Sequence, residues 1–582
     1  MKSKQPALRP YLEEIESHCL PLDKESLIQL ILSLAKEVKS SKRNDYTKRI
    51  LASLPENQNE LSPYAQADNL LAEIMELKQG IKMRIKSIED GTFWDNPDDE
   101  EEWDDSYYLD DDPDLLNNSQ VETLAEYFDT ADRIFLDGHL KNAHKIYDAL
   151  FALISESEEY GYSLPDFDID LREARSRFGR CIYENMPAEE RVEPLLKMML
   201  EAHPENIFDV FPASGATFLV DIIDAATGDL DNFDSFLTSW QAALTEYNYT
   251  ESRVADLILE ATFLQKGIDA VGQLAREWQN KQPRAYLYWL QELANKKSWD
   301  NLREISGQAC DTFPANHYRE QAAYFHTQAG KQLQNNETIL IGYREQFRSR
   351  PDISRLLNLV AEAHRQQLRD KELQNICAFL TAAKDGENKK NLLTTALLMA
   401  GDIDRAFTLN PQDKPIGWSS YQNGSGLLYG AALYLLCGCD NSCTTIANIL
   451  ESYTQSDTVY FDKYESRPLD YDTSDYKEIT KGLEKSNTTA INSEQYHKWV
   501  MNIGQKRVNH IVSNTHRSAY ERAAITLCSL AEYIAVKEDK NKALQLLTDY
   551  CKVRYNRHSA FRREMREIAG QSQILCVMVG EL

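Results

Sequence analysis

The chain has 582 residues and a formal net charge of -28, from 92 Asp and Glu against 64 Lys and Arg. Hydrophobic residues make up 42% and aromatic residues 10%, which is enough to form hydrophobic cores and excludes global disorder. The 18 Pro and 23 Gly are few for an all-β protein with its many turns, so helix is the predicted secondary structure. The negative charge disfavours nucleic acid and anionic membrane surfaces as ligands, and it favours a basic protein partner.

The start of the chain predicts no signal peptide, because no apolar run follows Lys2 and Lys4. The longest apolar run, from Gly426 to Cys439, has 14 residues, whereas a membrane-spanning helix needs roughly 20. Ten cysteines without framework spacing are typical of reduced thiols. These observations predict a cytoplasmic protein without a membrane anchor.

The first segment, residues 1–90, is predicted to be helical. Asp23 is a candidate N-cap for a helix that follows it, and a second long helix is predicted over residues 65–88. Apolar residues of the first helix recur at helical spacing and predict one apolar stripe: Leu27, Leu30, Ile31, Leu34 and Val38.

An acidic linker is predicted over residues 91–118. Between Asp95 and Asp114, 12 of 20 residues are Asp or Glu and none is Lys or Arg, so self-repulsion favours a solvated tether at a domain boundary. A second interpretation is a docking segment, in which charge steers a basic partner and aromatic rings anchor it. The candidate docking aromatics are Trp94, Trp103, Tyr107 and Tyr108.

Residues 119–408 are predicted to form paired helices. Candidate first helices begin near Arg284, His317, Asp352 and Lys389, which are 33, 35 and 37 residues apart. That spacing is close to the 34-residue period of tetratricopeptide (TPR) arrays. The predicted fold class is therefore all-α, an α-solenoid of TPR-like helix pairs, although an unrelated helical array would give a similar period.

A short pattern, Gly-x-aliphatic-x-x-Ala, supports the pairing. It occurs over 138–143 and 401–406, with a degenerate copy over 297–302. The glycine is predicted to end one helix, and the apolar and small residues to seat the next helix against it. Tyr147, four residues after Ala143, occupies the aromatic position of a TPR second helix.

An exposed loop is predicted over 409–426, and a C-terminal helical domain over 427–582 with a flexible loop at about 452–490. Long loops inside a compact fold are usually functional or disordered, and a protease needs exposed chain. Further helices are predicted at about 494–512, 517–537, 541–556 and 559–569. The candidate cleavage or hinge residues of the first loop are Asn410, Pro411, Lys414, Pro415, Gly424 and Gly426.

Candidate chemistry is sparse. Cys437, Cys439 and Cys443 are spaced closely enough for three thiolate ligands of zinc, but they also suit a buried helix end, and no cofactor is predicted. The run 166–170 imitates the start of a calcium loop but lacks its glycine, so an acidic helix start is the preferred interpretation. No nucleophile, phosphate-binding or zinc-protease motif is present, and a non-enzymatic protein is predicted.

Three stretches resemble the helical repeat region found beside bacterial SWIM zinc fingers: residues 127–183, 347–357 and 555–564. The finger itself uses Cys-x-Cys followed by Cys-x-His. Cys437 and Cys439 match its first half, nothing matches the second, and the nucleic-acid role is therefore not carried over.

The overall character, an acidic helical protein in two parts with an exposed loop about two-thirds along, resembles the substrate protein of the type III-E CRISPR caspase-like protease (Craspase). This resemblance implies a protein that is cut by an RNA-guided complex in antiviral defence, and that binds a sigma factor while intact. The position of the cut is not implied by any residue.

The predicted function is thus that of a non-enzymatic, protein-binding regulatory protein. Its predicted partners are a basic protein, with a sigma factor and a caspase-like protease complex as the specific candidates. Three alternatives stay open: an acidic DNA-mimicking inhibitor, a generic TPR-like scaffold and a cryptic metalloenzyme.

Overall fold

A computed structural model describes residues 7–37, 63–90, 118–159, 169–201, 216–382, 387–410, 416, 424–440, 442–454, 469–486 and 490–582. Every regular element in these ranges is helical, which confirms the predicted all-α class. The chain divides into two compact units, Met1–Trp289 (unit 1) and Leu290–Leu582 (unit 2). Among the described helices, none combines the length and the apolar character that a bilayer crossing requires.

Unit 1 contains α1 (Leu8–Cys19), α2 (Lys24–Glu37), α3 (Pro63–Glu89), α4 (Asn118–Leu136), α5 (Leu140–Glu159), α6 (Leu171–Asn185), α7 (Val192–Glu201), α8 (Leu219–Asp224), α9 (Phe233–Leu244), α10 (Ser252–Lys266) and α11 (Ile268–Trp278). The boundary between the units falls inside α12 (Arg284–Asn295). Two side chains that lie fully buried in the unit 1 core are Tyr147, at the predicted aromatic position, and Trp240.

Unit 2 contains α13 (Trp299–Thr312), α14 (His317–Gln332), α15 (Asn336–Ser349), α16 (Ile353–Arg365), α17 (Arg369–Ala382), α18 (Glu387–Met399), α19 (Ile403–Leu409), α20 (Gly424–Leu436), α21 (Thr444–Ser452), α22 (Asp475–Glu484), α23 (Ala490–Ser513), α24 (Tyr520–Lys537), α25 (Lys540–Thr548) and α26 (Ser559–Gln571). From α13 to α18, each helix packs against the next along the chain. A π-helical segment, Asp549–Arg554, continues α25.

The predicted helix starts are confirmed within two residues. Helix α12 begins at Arg284, α14 at His317, α16 at Ile353 and α18 at Glu387. Asp352 is the N-cap of α16, where its carboxylate accepts a hydrogen bond from the backbone N–H of Arg355 at 2.7 Å. The repeating helix pair is therefore a property of the fold.

The turn between paired helices recurs as a left-handed residue. Gly401 has φ +77°, as its predicted C-terminal position requires, but the same conformation occurs at Lys297 (φ +55°), Gln334 (+54°) and Gln367 (+60°). These four residues are 33 to 37 positions apart. The repeat is therefore marked by a recurring left-handed backbone conformation, which the residue types at these positions do not indicate.

Two predicted helix starts carry an aspartate N-cap. The carboxylate of Asp23 accepts a hydrogen bond from the N–H of Ser26 at 2.8 Å, at the start of α2. Asp170 caps α6 by accepting from the N–H of Glu173 at 3.0 Å. The described end of the acidic run, residues 169–170, therefore leads into a helix, as preferred over a calcium loop.

Candidate functional site

The structure places the predicted site residues in three groups. The docking aromatics Trp94, Trp103, Tyr107 and Tyr108 lie outside the described residues, as do Pro411, Lys414 and Pro415. Those predictions stay predictions. The remaining loop residues and the cysteines are described.

Asn410 does not lie in an exposed loop. Its side chain is buried at the end of α19, where Nδ2 donates to the hydroxyl oxygen of Thr394 at 3.1 Å and to the carbonyl of Ala406 at 2.8 Å. The asparagine thereby closes the last turn of its own helix and ties it to α18. Its turn-like sequence context, Asn-Pro, marks a helix end rather than an exposed hinge.

Gly424 and Gly426 also depart from the exposed-loop prediction. Both are buried in the first turn of α20. The N–H of Gly424 donates to the side-chain oxygen of Asn391 at 3.1 Å, and a Cβ at Gly426 would overlap the ring of Tyr453. The glycines serve close helix packing, since only they let α20 approach these neighbours.

The helices on both sides of the predicted loop share one hydrophobic core. Phe407 of α19, Ile416 and Leu428 of α20 are buried in the same unit 2 cluster. A cut between Asn410 and Gly424 would therefore leave two fragments joined by apolar packing. Separation would require the core of unit 2 to open.

The predicted flexible loop at 452–490 is wrong for residues 469–486, here called the docked segment. The hydroxyl of Tyr343 donates to the carboxylate of Asp470 at 2.6 Å, and the N–H of Asp470 donates to Asn358 Oδ1 at 2.8 Å. The hydroxyl of Tyr471 donates to Glu362. The start of the segment is thus bound to α15 and α16 by side chains of both.

Helix α22 forms the second half of the docked segment. Arg369 donates to Glu478 at 2.9 Å, and both side chains are buried, at 7% and 3% exposure. The guanidinium also donates to the carbonyls of Met399 and Glu478, both at 3.1 Å. This buried pair joins α17 to α22 with its hydrogen bonds satisfied, which is the condition for holding such charges in a core.

Replacing Gly482 with alanine is expected to loosen the docked segment. A Cβ at this position would overlap the carbonyl oxygens of Leu398 and Met399, which are backbone atoms with little freedom to move. We expect a loss of about 1–3 kcal/mol in the free energy of unfolding and faster amide exchange over 469–486. Urea unfolding and hydrogen–deuterium exchange measure these two effects.

Gly570→Ala is the matched control for this variant. Gly570 lies in α26 of the same unit, and a Cβ there meets nothing within 4 Å. We expect a neutral or stabilising change of up to about 1 kcal/mol. Equal behaviour of the two variants would contradict the packing account of Gly482.

The three cysteines do not form a shared ligand set. Cys437 and Cys443 are buried, and Cys439 is partly exposed in the turn between them with φ +57°. A hydrogen bond to the Cys443 thiol, with burial, raises the pKa of Cys437, which disfavours the thiolate that metal binding needs. Among the described residues, no group of three or more His, Cys, Asp or Glu is placed to hold a metal ion.

A serine–histidine pair was missed by the sequence analysis. Ser306 Oγ and His326 Nδ1 are 3.0 Å apart, and both side chains are buried between α13 and α14. Burial lowers the pKa of His326, and Ser306 donates to the carbonyl of Arg303 at 3.1 Å. Because both groups are buried and neither lines a described depression, the contact is interpreted as helix packing.

Two depressions are described, one in each unit. That in unit 1, about 340 Å³, lies between α9, α10 and α11 and includes Lys266 and Glu277. That in unit 2, about 210 Å³, is lined by Gly401, Asp404 and Ser486, among others. Neither depression is lined by a histidine or a cysteine, the residues that most often act as catalytic base or thiol nucleophile.

The net charge is confined to one unit. Residues 1–289 contain 57 Asp and Glu against 28 Lys and Arg, a net charge of -29, whereas residues 290–582 contain 35 against 36, a net of +1. No Lys or Arg occurs between Lys197 and Arg253. A cationic ligand is therefore attracted to unit 1 rather than to the chain as a whole.

Exposed carboxylates lie at both ends of α9. Together with the aromatic residue Tyr247, they are called the acidic surface. Tyr247, 44% exposed, follows the C-terminal end of the helix and supplies an aromatic contact beside them. Asp229 pairs with Arg9 at 3.1 Å, at a site open to solvent. The acidic surface consists of Asp229, Asp231, Asp234, Glu246, Tyr247 and Glu251.

A buried carboxylate of α10 caps the short helix α8, which precedes the acidic surface in the chain. Glu260 of α10 accepts hydrogen bonds from the N–H groups of Leu219 and Val220, both at 2.9 Å, and so caps α8. Burial raises the pKa of Glu260 from 4.5 to about 7, against the lowering effect of these two bonds. Ionisation of Glu260 is therefore opposed in the folded state.

Glu260→Gln is expected to flatten the dependence of stability on pH. Since the folded-state pKa is raised, the contribution of the protonated group is complete below pH 4.5 and is lost as the pH rises through 7. The stability of the variant relative to the natural chain should rise by on the order of 3 kcal/mol from pH 4.5 to 7.5. Urea unfolding at several pH values measures this, and parallel profiles would contradict it.

Comparisons with known proteins add little. No protein-family model and no curated protein matches the chain. A solved structure described as "Circular tandem repeat protein with novel repeat topology and enhanced subunit contact surfaces" aligns at 12% identity and a TM-score of 0.18, over 89% of this chain and 93% of that one. That likeness carries no argument, and the helices themselves define the class: an all-α protein of helical-repeat character.

Proposed function

We propose that this chain is a non-enzymatic regulatory protein that binds a basic protein through unit 1. The observation that carries the proposal is the confinement of the net charge, -29, to residues 1–289. Such a field accelerates encounter with a cationic partner, and the exposed Tyr247 offers an anchor of the type that dominates protein interfaces.

The finer form of the proposal follows the resemblance to the Craspase substrate. In that form the protein is cytoplasmic and acts in bacterial antiviral defence. It restrains a sigma factor until a CRISPR-associated caspase-like protease cuts it. The acidity of unit 1 suits a basic sigma factor, and the shared core of unit 2 requires the cut fragments to part by unfolding locally.

The test compares two charge-reversal variants of the full-length chain. One replaces Asp231, Asp234 and Glu246 of unit 1 with lysine. The matched control replaces three exposed carboxylates of unit 2 with lysine: Glu337, Glu494 and Glu521. Glu337 and Glu521 lie in the first turn of their helices, as Asp234 does in α9.

Binding is measured by calorimetry against a purified extracytoplasmic-function sigma factor, and against the basic proteins that co-purify with the tagged chain from its host. We expect the unit 1 variant to weaken binding at least tenfold, and the unit 2 variant to bind as the natural chain does. Equal losses, or a partner that is acidic, would contradict the proposal. Binding to another basic protein, without binding to the sigma factor, would overturn only the finer form.

A DNA-mimicking inhibitor is the second candidate, and the same charge confinement favours it. Deletion of residues 95–114 separates the two candidates. A mimic that relies on that acidic stretch loses its nucleic-acid-binding target outright, whereas a partner held by the acidic surface is retained. An electrophoretic mobility shift assay with the target and its DNA measures whether the deletion variant still competes with the DNA for the target.

A further inference from the structure

Two stretches of unit 2 contain no acidic residue, although the chain as a whole is acidic. Residues 495–520 contain four Lys and Arg, and residues 550–563 contain five. At the chain's average of 92 Asp and Glu in 582 residues, these 40 positions would hold about six. Both stretches therefore combine cations with a lack of the carboxylates that would neutralise them locally.

The fold brings the two stretches side by side. The hydroxyl of Tyr555 donates to Asn509 Oδ1 at 2.9 Å, and the hydroxyl of Tyr520 lies 3.0 Å from His558 Nδ1. These two contacts join the end of α23 and the start of α24 to the turn before α26. Cations that are distant in sequence are thereby gathered around one junction.

Exposed side chains around this junction form what we call the basic surface. Lys506 and His510 are one turn apart on α23, and the ring of His510 lies 5.9 Å from the ring of His516. Arg517 precedes the start of α24, and Arg557 lies in the turn before α26. The basic surface consists of Lys506, His510, His516, Arg517 and Arg557, all of them exposed.

The charges of the basic surface are not neutralised by neighbouring carboxylates. Within the described part of the chain, Lys506, Arg517 and Arg557 form no ion pair. Like charges are also crowded beside them: burial lowers the pKa of Arg507, and the charge of the nearby Arg522 lowers it further. Repulsion of this kind destabilises the free protein and is relieved when an anion binds.

The composition of the basic surface favours nucleic acid over protein or lipid as its ligand. Protein interfaces are depleted of charge at their centre and anchored by aromatic side chains, and membrane surfaces require apolar side chains that insert. In residues 495–520 and 550–563, all of which are described, Val553 is the only exposed large hydrophobic side chain. Protein–nucleic acid interfaces are instead polar and strongly positive.

We propose that the basic surface binds the phosphate backbone of a nucleic acid without reading its base sequence. The guanidinium groups of Arg517 and Arg557 are suited to bidentate hydrogen bonds with phosphate oxygens, and Lys506 adds a point charge. The net charge of -28 does not prevent this, because charges more than about 8 Å away are largely screened at physiological ionic strength. The inference concerns unit 2 and does not depend on the function proposed for unit 1.

Fluorescence anisotropy of the full-length chain tests the proposal, with a fluorescein-labelled 30-nucleotide oligouridylate and a labelled 30-base-pair DNA as probes. We expect saturable binding of at least one probe at about 50 mM salt. The triple variant Lys506→Glu, Arg517→Glu and Arg557→Glu should bind at least tenfold more weakly. The slope of log K against log salt should also fall in magnitude by about two, because about three phosphate contacts are lost.

The matched control makes the same change of charge elsewhere in unit 2. It replaces Lys297, Lys371 and Lys389, exposed lysines outside the elements that form the basic surface, with glutamate, and it should bind as the natural chain does. Circular dichroism shows whether each variant keeps its helical content. If the triple variant lost its helices, the neutral pair Arg517→Gln and Arg557→Gln, expected to bind at least threefold more weakly, would take its place.

Four results would overturn the proposal. Neither probe could bind at 100 µM protein, the triple variant could bind as well as the natural chain, or the control could lose as much affinity as the triple variant. The fourth result comes from a labelled polyglutamate of 30 residues. If it bound more tightly than either nucleic acid, the basic surface would be assigned to an acidic protein.

Discussion

Arg284→Met is expected to lower the free energy of unfolding by about 3–5 kcal/mol. Arg284 of α12 donates to both carboxylate oxygens of Asp256 in α10, at 3.0 and 2.7 Å, and the two side chains are 1% and 0% exposed. Methionine matches the arginine stem in size but leaves the Asp256 carboxylate buried without its partner. The cost is therefore that of an unpaired charge rather than of a cavity.

Two of the three guanidinium nitrogens of the nearby Arg253 are bound to other acceptors. Its guanidinium lies near Asp256, but it donates to the carbonyl of Met199 at 3.0 Å and to that of Thr217. The hydrogen bonds that Arg284 makes to the carboxylate would remain unmade. Relief is expected only when Asp256 is also removed.

Urea unfolding followed by tryptophan fluorescence measures the loss. The double variant Arg284→Met with Asp256→Leu should recover most of it, since a well-packed apolar pair often replaces a buried ion pair at little cost. Arg303→Met is the control for losing an arginine. It removes a solvent-open contact with Asp300 at 3.5 Å and should change stability by less than about 1 kcal/mol. If Arg284→Met proved as stable as Arg303→Met, the buried ion pair would not be the cause of the expected loss.

Glu532→Ala is expected to cost about 3–5 kcal/mol in unit 2. Glu532 of α24 is fully buried and accepts from the N–H groups of Thr445 and Ile446, at 3.0 and 3.1 Å, which begin α21. The hydroxyl of Ser572 donates to the other carboxylate oxygen. Alanine leaves three buried donors without an acceptor and opens a cavity among them.

Glu532→Gln distinguishes the hydrogen bonds from the charge. The amide oxygen can accept from both backbone N–H groups. The Ser572 hydroxyl, which already accepts from the N–H groups of Ile574 and Leu575, loses its own acceptor, so a loss of about 1–2 kcal/mol is expected. Glu538→Ala, at the exposed end of the same helix, removes a surface pair with Lys542 and should cost about 0.5 kcal/mol or less. Similar losses for all three variants would show that Glu532 is not a cap.

Glu260 and Glu532 perform the same task in different units. In each, one carboxylate from a long buried helix accepts two N–H groups at the start of a short helix that is distant in sequence. Such a cap is invisible in local sequence, because the usual signal is a Ser, Thr, Asp or Asn immediately before the helix. In neither short helix does the side chain of the N-cap residue accept a hydrogen bond, although in α8 the carboxylate of Asp221 accepts from the N–H of Phe218 at 2.8 Å.

The sequence alone determined the all-α class, the paired helices and most of their starts. Those features follow from local causes: apolar residues at helical spacing, and caps such as Asp352 and Asp170. The repeat was recognisable at Gly138 and Gly401, because a glycine at a helix end indicates a left-handed turn. It was hidden at Gln334 and Gln367, where an ordinary residue takes the same conformation. There the turn is closed by the N–H groups of Asn335 and Leu368, which donate to the carbonyls of Gly330 and Ala363 at 2.9 and 2.7 Å.

Only the tertiary structure decided which polar, glycine-rich stretches are bound. Composition predicts exposure for Gly424, Gly426 and residues 469–486, yet their backbones lie against other helices or are held by Tyr343 and Arg369 from more than 100 residues away. Likewise, the sequence showed the apolar stripe of α2, but the structure showed that unit 1 leaves it exposed. Burial depends on what the rest of the chain brings to a surface, and local pattern cannot encode that.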